Sequence, residues 1–169
     1  MAVATLQSTA RGRGFTLVEL MVTIAVAAIL LTIAVPSLTD TTLSGKLRAS
    51  ANDLVTSAAL ARSEAIKRNA VTSLCPSSDG ASCGSGGWEQ GWIVITGSTV
   101  IQTEKAAPQG FKVTSTVSRI DFQPSGVGST QATLTVCRAS PYAGNQERVV
   151  TVSATGRSYV TKTATGSCS

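Results

Sequence analysis

The sequence predicts an α+β protein: a long N-terminal helix, transmembrane in its first half and amphipathic in its second, packed on an antiparallel β-sheet domain. Two observations carry this expectation. From Phe15 to Leu38 the chain is largely apolar with one charged residue, and it passes directly into apolar residues at helical spacing. Beyond Asn69 the pattern changes to short stretches rich in β-branched residues, separated by Gly, Pro and Ser. At 169 residues the chain suits one compact domain with an appendage. Four segments are expected: a basic leader at 1–14, a transmembrane and assembly helix at 15–38, the amphipathic half of that helix at 39–69, and a β-rich domain at 70–169.

The apolar run is long enough, at about 1.5 Å per residue, to cross a hydrocarbon core of about 30 Å as a helix. Arg11 and Arg13 precede it with no acid nearby, which places the N-terminus in the cytoplasm and the following domain outside. An ordinary secretory signal also has a basic start and an apolar middle. Here, however, the run is longer than a signal's core of roughly 7 to 15 residues, and no A-x-A-like site closes it. Glu19 lies inside the run, where a carboxylate is costly and marks a function with a specific partner. Gly14 stands at the junction of leader and helix. Pro36 removes a backbone donor and crowds the preceding turn, so a bend or local melting is expected there.

The stretch Gly14-Phe15-Thr16-Leu17-Val18-Glu19-Leu20 resembles the type III leader junction of type IV prepilins. The resemblance implies that a prepilin peptidase cuts between Gly14 and Phe15 and methylates the new N-terminal Phe15. It also implies that Glu19 aids assembly and that Pro36 is the family's helix-bending proline. The physics of a carboxylate in lipid fits this role, because the α-amino group of a neighbouring subunit's Phe15 would neutralise Glu19 and set the stacking register. Loss of Arg11 and Arg13 with the leader would lower the formal charge of +5 by two, leaving a mildly basic chain without a nucleic-acid signature in composition alone.

Past Pro36, Leu43, Leu47, Ala51, Leu54, Ala58, Ala61 and Ala65 recur at spacings of three and four, the stripe of a helix packed on a sheet. Lys46, Arg48, Asp53, Arg62, Lys67 and Arg68 occupy the opposite, solvated face, with Glu64 placed to pair with Arg68. Gly45 weakens the helix locally, and Asn69 is a stop signal. Expected strands are Val71–Cys75, Trp92–Thr96, Val100–Thr103, Phe111–Thr114, Arg119–Phe122, Ala132–Cys137, Arg148–Ser153 and Ser158–Lys162.

The chain has no histidine, which excludes Ser-His and Cys-His nucleophile pairs and His-containing zinc sites. Its four cysteines contain no C-x-x-C pair, so a Cys-only zinc site is not expected. Their even number, after a membrane segment, suits disulfides in an oxidising compartment. Of the three connectivities, the favoured one joins Cys75 with Cys83 across a Gly/Ser-rich loop and Cys137 with Cys168; the other two stay open. Asp40, Asp53, Glu64, Asp79, Glu89, Glu104, Asp121 and Glu147 form no paired-carboxylate or metal motif. Cys83-Gly84-Ser85-Gly86-Gly87 lacks the Lys-Ser/Thr of a phosphate loop. The expectation is a protein that is not an enzyme, with no cofactor and no metal.

Residues Ala61 to Asn69, the Gly91-Trp92-Ile93-Val94 strand, Val136-Cys137 and Thr155-Gly156-Arg157 add a second resemblance, to the GspH/FimT class of minor pilins and pseudopilins. It implies a low-copy subunit of a tip complex that initiates a type IV pilus for twitching motility or adhesion. Implied partners are other minor and major pilins, the prepilin peptidase, the inner-membrane assembly platform and, before assembly, membrane lipid. Localisation would be the inner membrane, with the C-terminal domain periplasmic, and then the filament. One alternative is a pseudopilin of a type II secretion machine. Another is a minor pilin that binds DNA for natural transformation, through a patch of Arg148, Arg157 and Lys162 with Tyr159 for stacking. Ser158 and Tyr159 follow Gly156-Arg157, so the basic extension of DNA-binding relatives is incomplete here.

Overall fold

The computed structural model describes residues 14–128, 130–139 and 146–165, with the side chains of residues 36 and 37 left aside. It divides into two units, Met1–Thr41 and Thr42–Ser169.

In the first unit, helix α1 (Leu17–Arg68) begins at a Thr16 cap. Its apolar side chains here, from Phe15 to Leu38, are exposed on all sides of the helix, the pattern of a segment meant for an apolar surrounding. Helical structure is unbroken through Pro36, so the alternative of local melting at that residue is not found.

In the second unit, α1 buries Leu47, Ala51, Leu54, Ala58, Ala61 and Ala65, each at most 2% exposed, with Leu43 packed against them. Four of these are alanines, so much of the buried stripe is made of small side chains. Ala70 N–H donates to the Ala65 carbonyl and Asn69 N–H to the Ile66 carbonyl. Asn69 has φ 49°. This pair of bonds around a left-handed residue is a Schellman cap, for which Asn is tolerated.

Among the described residues the rest of this unit holds eight strands: β1 (Thr72–Pro76), β2 (Trp92–Thr96), β3 (Thr99–Glu104), β4 (Phe111–Ser115), β5 (Ile120–Phe122), β6 (Ala132–Arg138), β7 (Glu147–Val152) and β8 (Ser158–Thr163). All eight expected strands form, with ends shifted by at most one residue. They divide into two antiparallel sheets, ordered β3-β2-β1-β5 and β4-β6-β7-β8. The β5 strand leaves the chain order of the second sheet to pair with β1, through Thr72 with Phe122 and Leu74 with Ile120. Leu74, Val94, Ile120 and Phe122 from the first sheet join Phe111, Val113, Leu134, Val136, Val150 and Val152 from the second in one core with the α1 stripe. Trp92 fixes helix to sheet through its indole N–H, which donates to the Ser57 hydroxyl at 3.0 Å.

Candidate functional site

The N-terminal segment is built to be satisfied without water. Thr16 Oγ1 accepts a bond from the Glu19 N–H at 3.2 Å, relieving one of the free donors of the first turn. The hydroxyls of Thr23, Thr32 and Thr39 donate to the carbonyls of Leu20, Ile29 and Val35 at 2.6–3.0 Å. Each of these threonine hydroxyls thereby finds its partner within the helix, as lipid requires, whereas among the described residues no hydrogen bond within the helix is seen for the Glu19 carboxylate. Among the described residues α1 is the one helix long and apolar enough to cross a membrane, with a mean hydropathy of 2.5 over its best 18-residue stretch. Gly14 and Phe15 lie just before it, Phe15 being 74% exposed, while Arg11 and Arg13 fall outside the described residues. The capping role of Thr16 is not among the sequence expectations, although the Thr-x-x-Glu spacing of Thr16 and Glu19 is the signature of a capping box.

The loop between β1 and β2 is stapled at its base by Cys75 and Cys83, whose Cα atoms are 5.5 Å apart. Inside it the Asp79 carboxylate accepts from the Ser82 and Ser77 hydroxyls and from the Ala81 and Ser82 N–H groups. Those bonds, the Ser82 hydroxyl first, hold Asp79 far below the usual carboxylate range. Cys137 is buried and is not a free thiol; its expected partner, Cys168, lies outside the described residues.

The basic trio is dispersed. Arg148 and Lys162 face each other across β7 and β8, but Arg148 is buried and its Nη1 donates to the Glu147 carbonyl at 3.0 Å. Arg157 lies in the turn before β8, five residues from Lys162, about 16 Å along a strand. Tyr159 pairs with Thr151 in the alternate row of the sheet, on the face opposite to Arg148 and Lys162. The sheet therefore does not assemble these four side chains into one patch.

What the structure does bring together is Arg62, Gly126 and Gly156. The Arg62 Nε–H donates to the Gly126 carbonyl at 2.7 Å, joining α1 to the loop after β5. Gly156, at φ 74°, sits so close to that carbonyl that a Cβ would collide with it, and a Cβ on Gly126, at φ 76°, would press into Ile66 at 2.7 Å. The Thr155-Gly156-Arg157 and Arg62-containing motifs are thus two sides of one structural joint. Each motif is visible in the sequence; their juxtaposition is not.

Glu64 accepts from Arg68 Nε at 2.5 Å and from Lys67 at 3.4 Å, and the Arg68 bond first of all lowers its pKa. Asp53 is raised, by desolvation first and then by repulsion from Glu104. Among the described residues no group of three or more Cys, Asp or Glu side chains is placed to hold a metal.

An exposed apolar helix half, a capped N-terminus beside a glutamate set within the apolar run, and a second half packed into the core of an antiparallel domain define a pilin-like subunit. The chain belongs to the family described as type II transport protein GspH, whose model matches residues 50–156. Residues 10–35 match the prokaryotic N-terminal methylation motif. The fold is similar to a crystal structure of the type IV minor pilin FimU of Pseudomonas aeruginosa, at 18% identity and a TM-score of 0.58, covering 72% of this chain and 92% of that one. It is also similar to the minor pseudopilin EpsH of the Vibrio cholerae type 2 secretion system, at 14% identity and a TM-score of 0.52, covering 69% and 97%. No curated protein matches the sequence. The chain is therefore a minor pilin or pseudopilin of the GspH/FimT class, a membrane-anchored structural subunit that assembles with other pilins.

Proposed function

We propose that the chain is a minor type IV pilin that joins a tip complex and primes pilus assembly. Prepilin peptidase cuts after Gly14 and methylates Phe15, and the subunit waits in the inner membrane with its β domain in the periplasm until the assembly platform extrudes it with other minor and major pilins. The observation that carries this is the first half of α1, which exposes apolar residues all round and one carboxylate, Glu19, four residues beyond Phe15. In lipid that carboxylate stands unneutralised until a neighbour's α-ammonium reaches it, so insertion into the bundle of helices removes a cost that the free subunit bears. Glu19 thus gives the assembly a register.

Mass spectrometry of the mature N-terminus, together with immunodetection of the chain in sheared filaments, tests the proposal. A methylated Phe15 and a filament signal are expected, both lost when Gly14 is replaced by a bulkier residue. An intact 1–14 segment on filament-associated protein would contradict it. A mature chain found only with secretion-system components would move it to the pseudopilin role.

A further inference from the structure

Residues 77–84 form a strap on the outer face of the first sheet. Alternation along β1 and β2 sends Leu74 and Val94 into the main core and turns Cys75 and Ile93 to the other face, yet both are 0% exposed. Cys75, Ile93 and Thr103 stand in one row across β1, β2 and β3. The strap is anchored at both ends of that row: the bridge ties Cys83 to Cys75, and the Thr103 hydroxyl donates to the Gly80 carbonyl at 3.2 Å. Asp79 braces it from within by accepting from Ser77, Ala81 and Ser82.

The two sulfurs of the bridge stand in opposite surroundings. Cys75 is sealed, whereas Cys83 is exposed and lines a cleft of about 390 Å³. Ser82, Ile95, Gly97, Ser98 and Arg119 line it as well, Arg119 being held by Asp121 at 2.7 Å. Thiol–disulfide exchange begins when a thiolate reaches a bridge sulfur. Of this pair, Cys83 is the one open to attack.

Cys75 in turn dictates the kind of partner. Once expelled, its sulfur stays buried and held opposite Cys83, with the two Cα atoms 5.5 Å apart. It recaptures Cys83 before a second molecule of a single thiol arrives, because the resealing step is intramolecular. A partner with two thiols escapes this competition, since its own second sulfur resolves the mixed disulfide.

We propose that Cys83 is a thiol–disulfide exchange site that serves a dithiol partner. The partner's thiolate attacks Cys83 Sγ and forms a mixed disulfide. The Cys75–Cys83 bond breaks, and its electron pair goes to Cys75 Sγ, which takes up a proton. The partner's second thiolate then attacks its own sulfur in the mixed disulfide. Cys83 Sγ leaves with that electron pair and is protonated, and the partner departs oxidised by two electrons. Run backward, the same steps seal the bridge from an oxidised partner. The site lies in the β domain and uses neither Phe15 nor Glu19.

The test uses the full-length chain in detergent, with dithiothreitol as the dithiol and glutathione as the single thiol. Dithiothreitol should open Cys75–Cys83, read by alkylation and peptide mass, while the β6–β7 amides keep their protection from hydrogen exchange. Glutathione should open it about tenfold more slowly at equal thiolate concentration, and its adduct, trapped by acid, should lie on Cys83. Ser98→Trp fills the cleft from an exposed turn and should slow dithiothreitol severalfold without changing the melting temperature, whereas Ser98→Ala should not slow it. Opening only when β6–β7 protection is lost, an adduct on Cys75, equal rates with the two reagents, or a rate indifferent to Ser98→Trp would each overturn the proposal.

Discussion

Arg62 and Gly126 are joined by a 2.7 Å hydrogen bond between the guanidinium Nε–H and the backbone carbonyl, 64 residues apart in sequence. This bond and the close approach of Gly156 lock the β domain against the second half of α1. Both partners of the glycine contact are backbone, so the joint has little room to yield.

Gly156→Ala should therefore lower stability by about 1–3 kcal/mol, from the left-handed backbone alone, and by more once the collision with the Gly126 carbonyl is included. Arg62→Ala should cost about 1.5–3 kcal/mol through the lost charged hydrogen bond. Thermal melting of the detergent-solubilised chain measures both. The double variant should lose less than the sum, and strict additivity would show that the two residues do not share one joint.

Ser57→Ala leaves the buried indole N–H of Trp92 without its acceptor. A loss of about 1–3 kcal/mol is expected. Adding Trp92→Phe removes the orphaned donor, so the second change should cost less in the Ser57→Ala background than alone. Equal costs in both backgrounds would contradict the pairing.

The helix and the strands are legible in the sequence because their signals are local. The alanine and leucine stripe of α1, the Asn69 stop and the alternating strands each lie within a few residues of one another. The Cys75–Cys83 bridge is legible for the same reason, as it closes a short loop. The division into two sheets is not, because it depends on β5 turning back to β1, a pairing about fifty residues apart with no local mark. The basic trio fails as a patch for a related reason. Sequence spacing placed Arg148 and Lys162 on strands and Arg157 just before one, without showing that Arg148 would be buried or that Tyr159 would face the other side of the sheet.

Asp79 gives a pH dependence with a definite sign. Its pKa in the fold lies well below the ordinary 3.8, so its contribution is fully present above about pH 4 and is lost as pH falls toward the folded value. Asp79→Ala should lower the melting temperature at neutral pH and flatten the acid limb between about pH 4 and pH 2. An unchanged acid limb would show that the Ser77, Ala81 and Ser82 bonds do not stabilise the ionised loop.

At the N-terminus the roles of Thr16 and Glu19 are separable. Thr16→Ala removes the cap and should weaken the first helical turn by about 0.5–2 kcal/mol. Glu19→Ala keeps that cap, since the bond uses the Glu19 backbone N–H. It should leave membrane insertion intact while filament incorporation falls severalfold, read as the ratio of the chain in sheared filaments to that in membranes. Equal incorporation would remove the argument that Glu19 sets register.

The most direct measurement of the central claim is the quantity of surface pili sheared from cells lacking this gene, beside the parent strain and a complemented strain. A minor pilin that primes assembly predicts a severe loss of pili, restored by the intact chain and not by Glu19→Ala. Normal piliation in the deletion strain would contradict a priming role in the pilus.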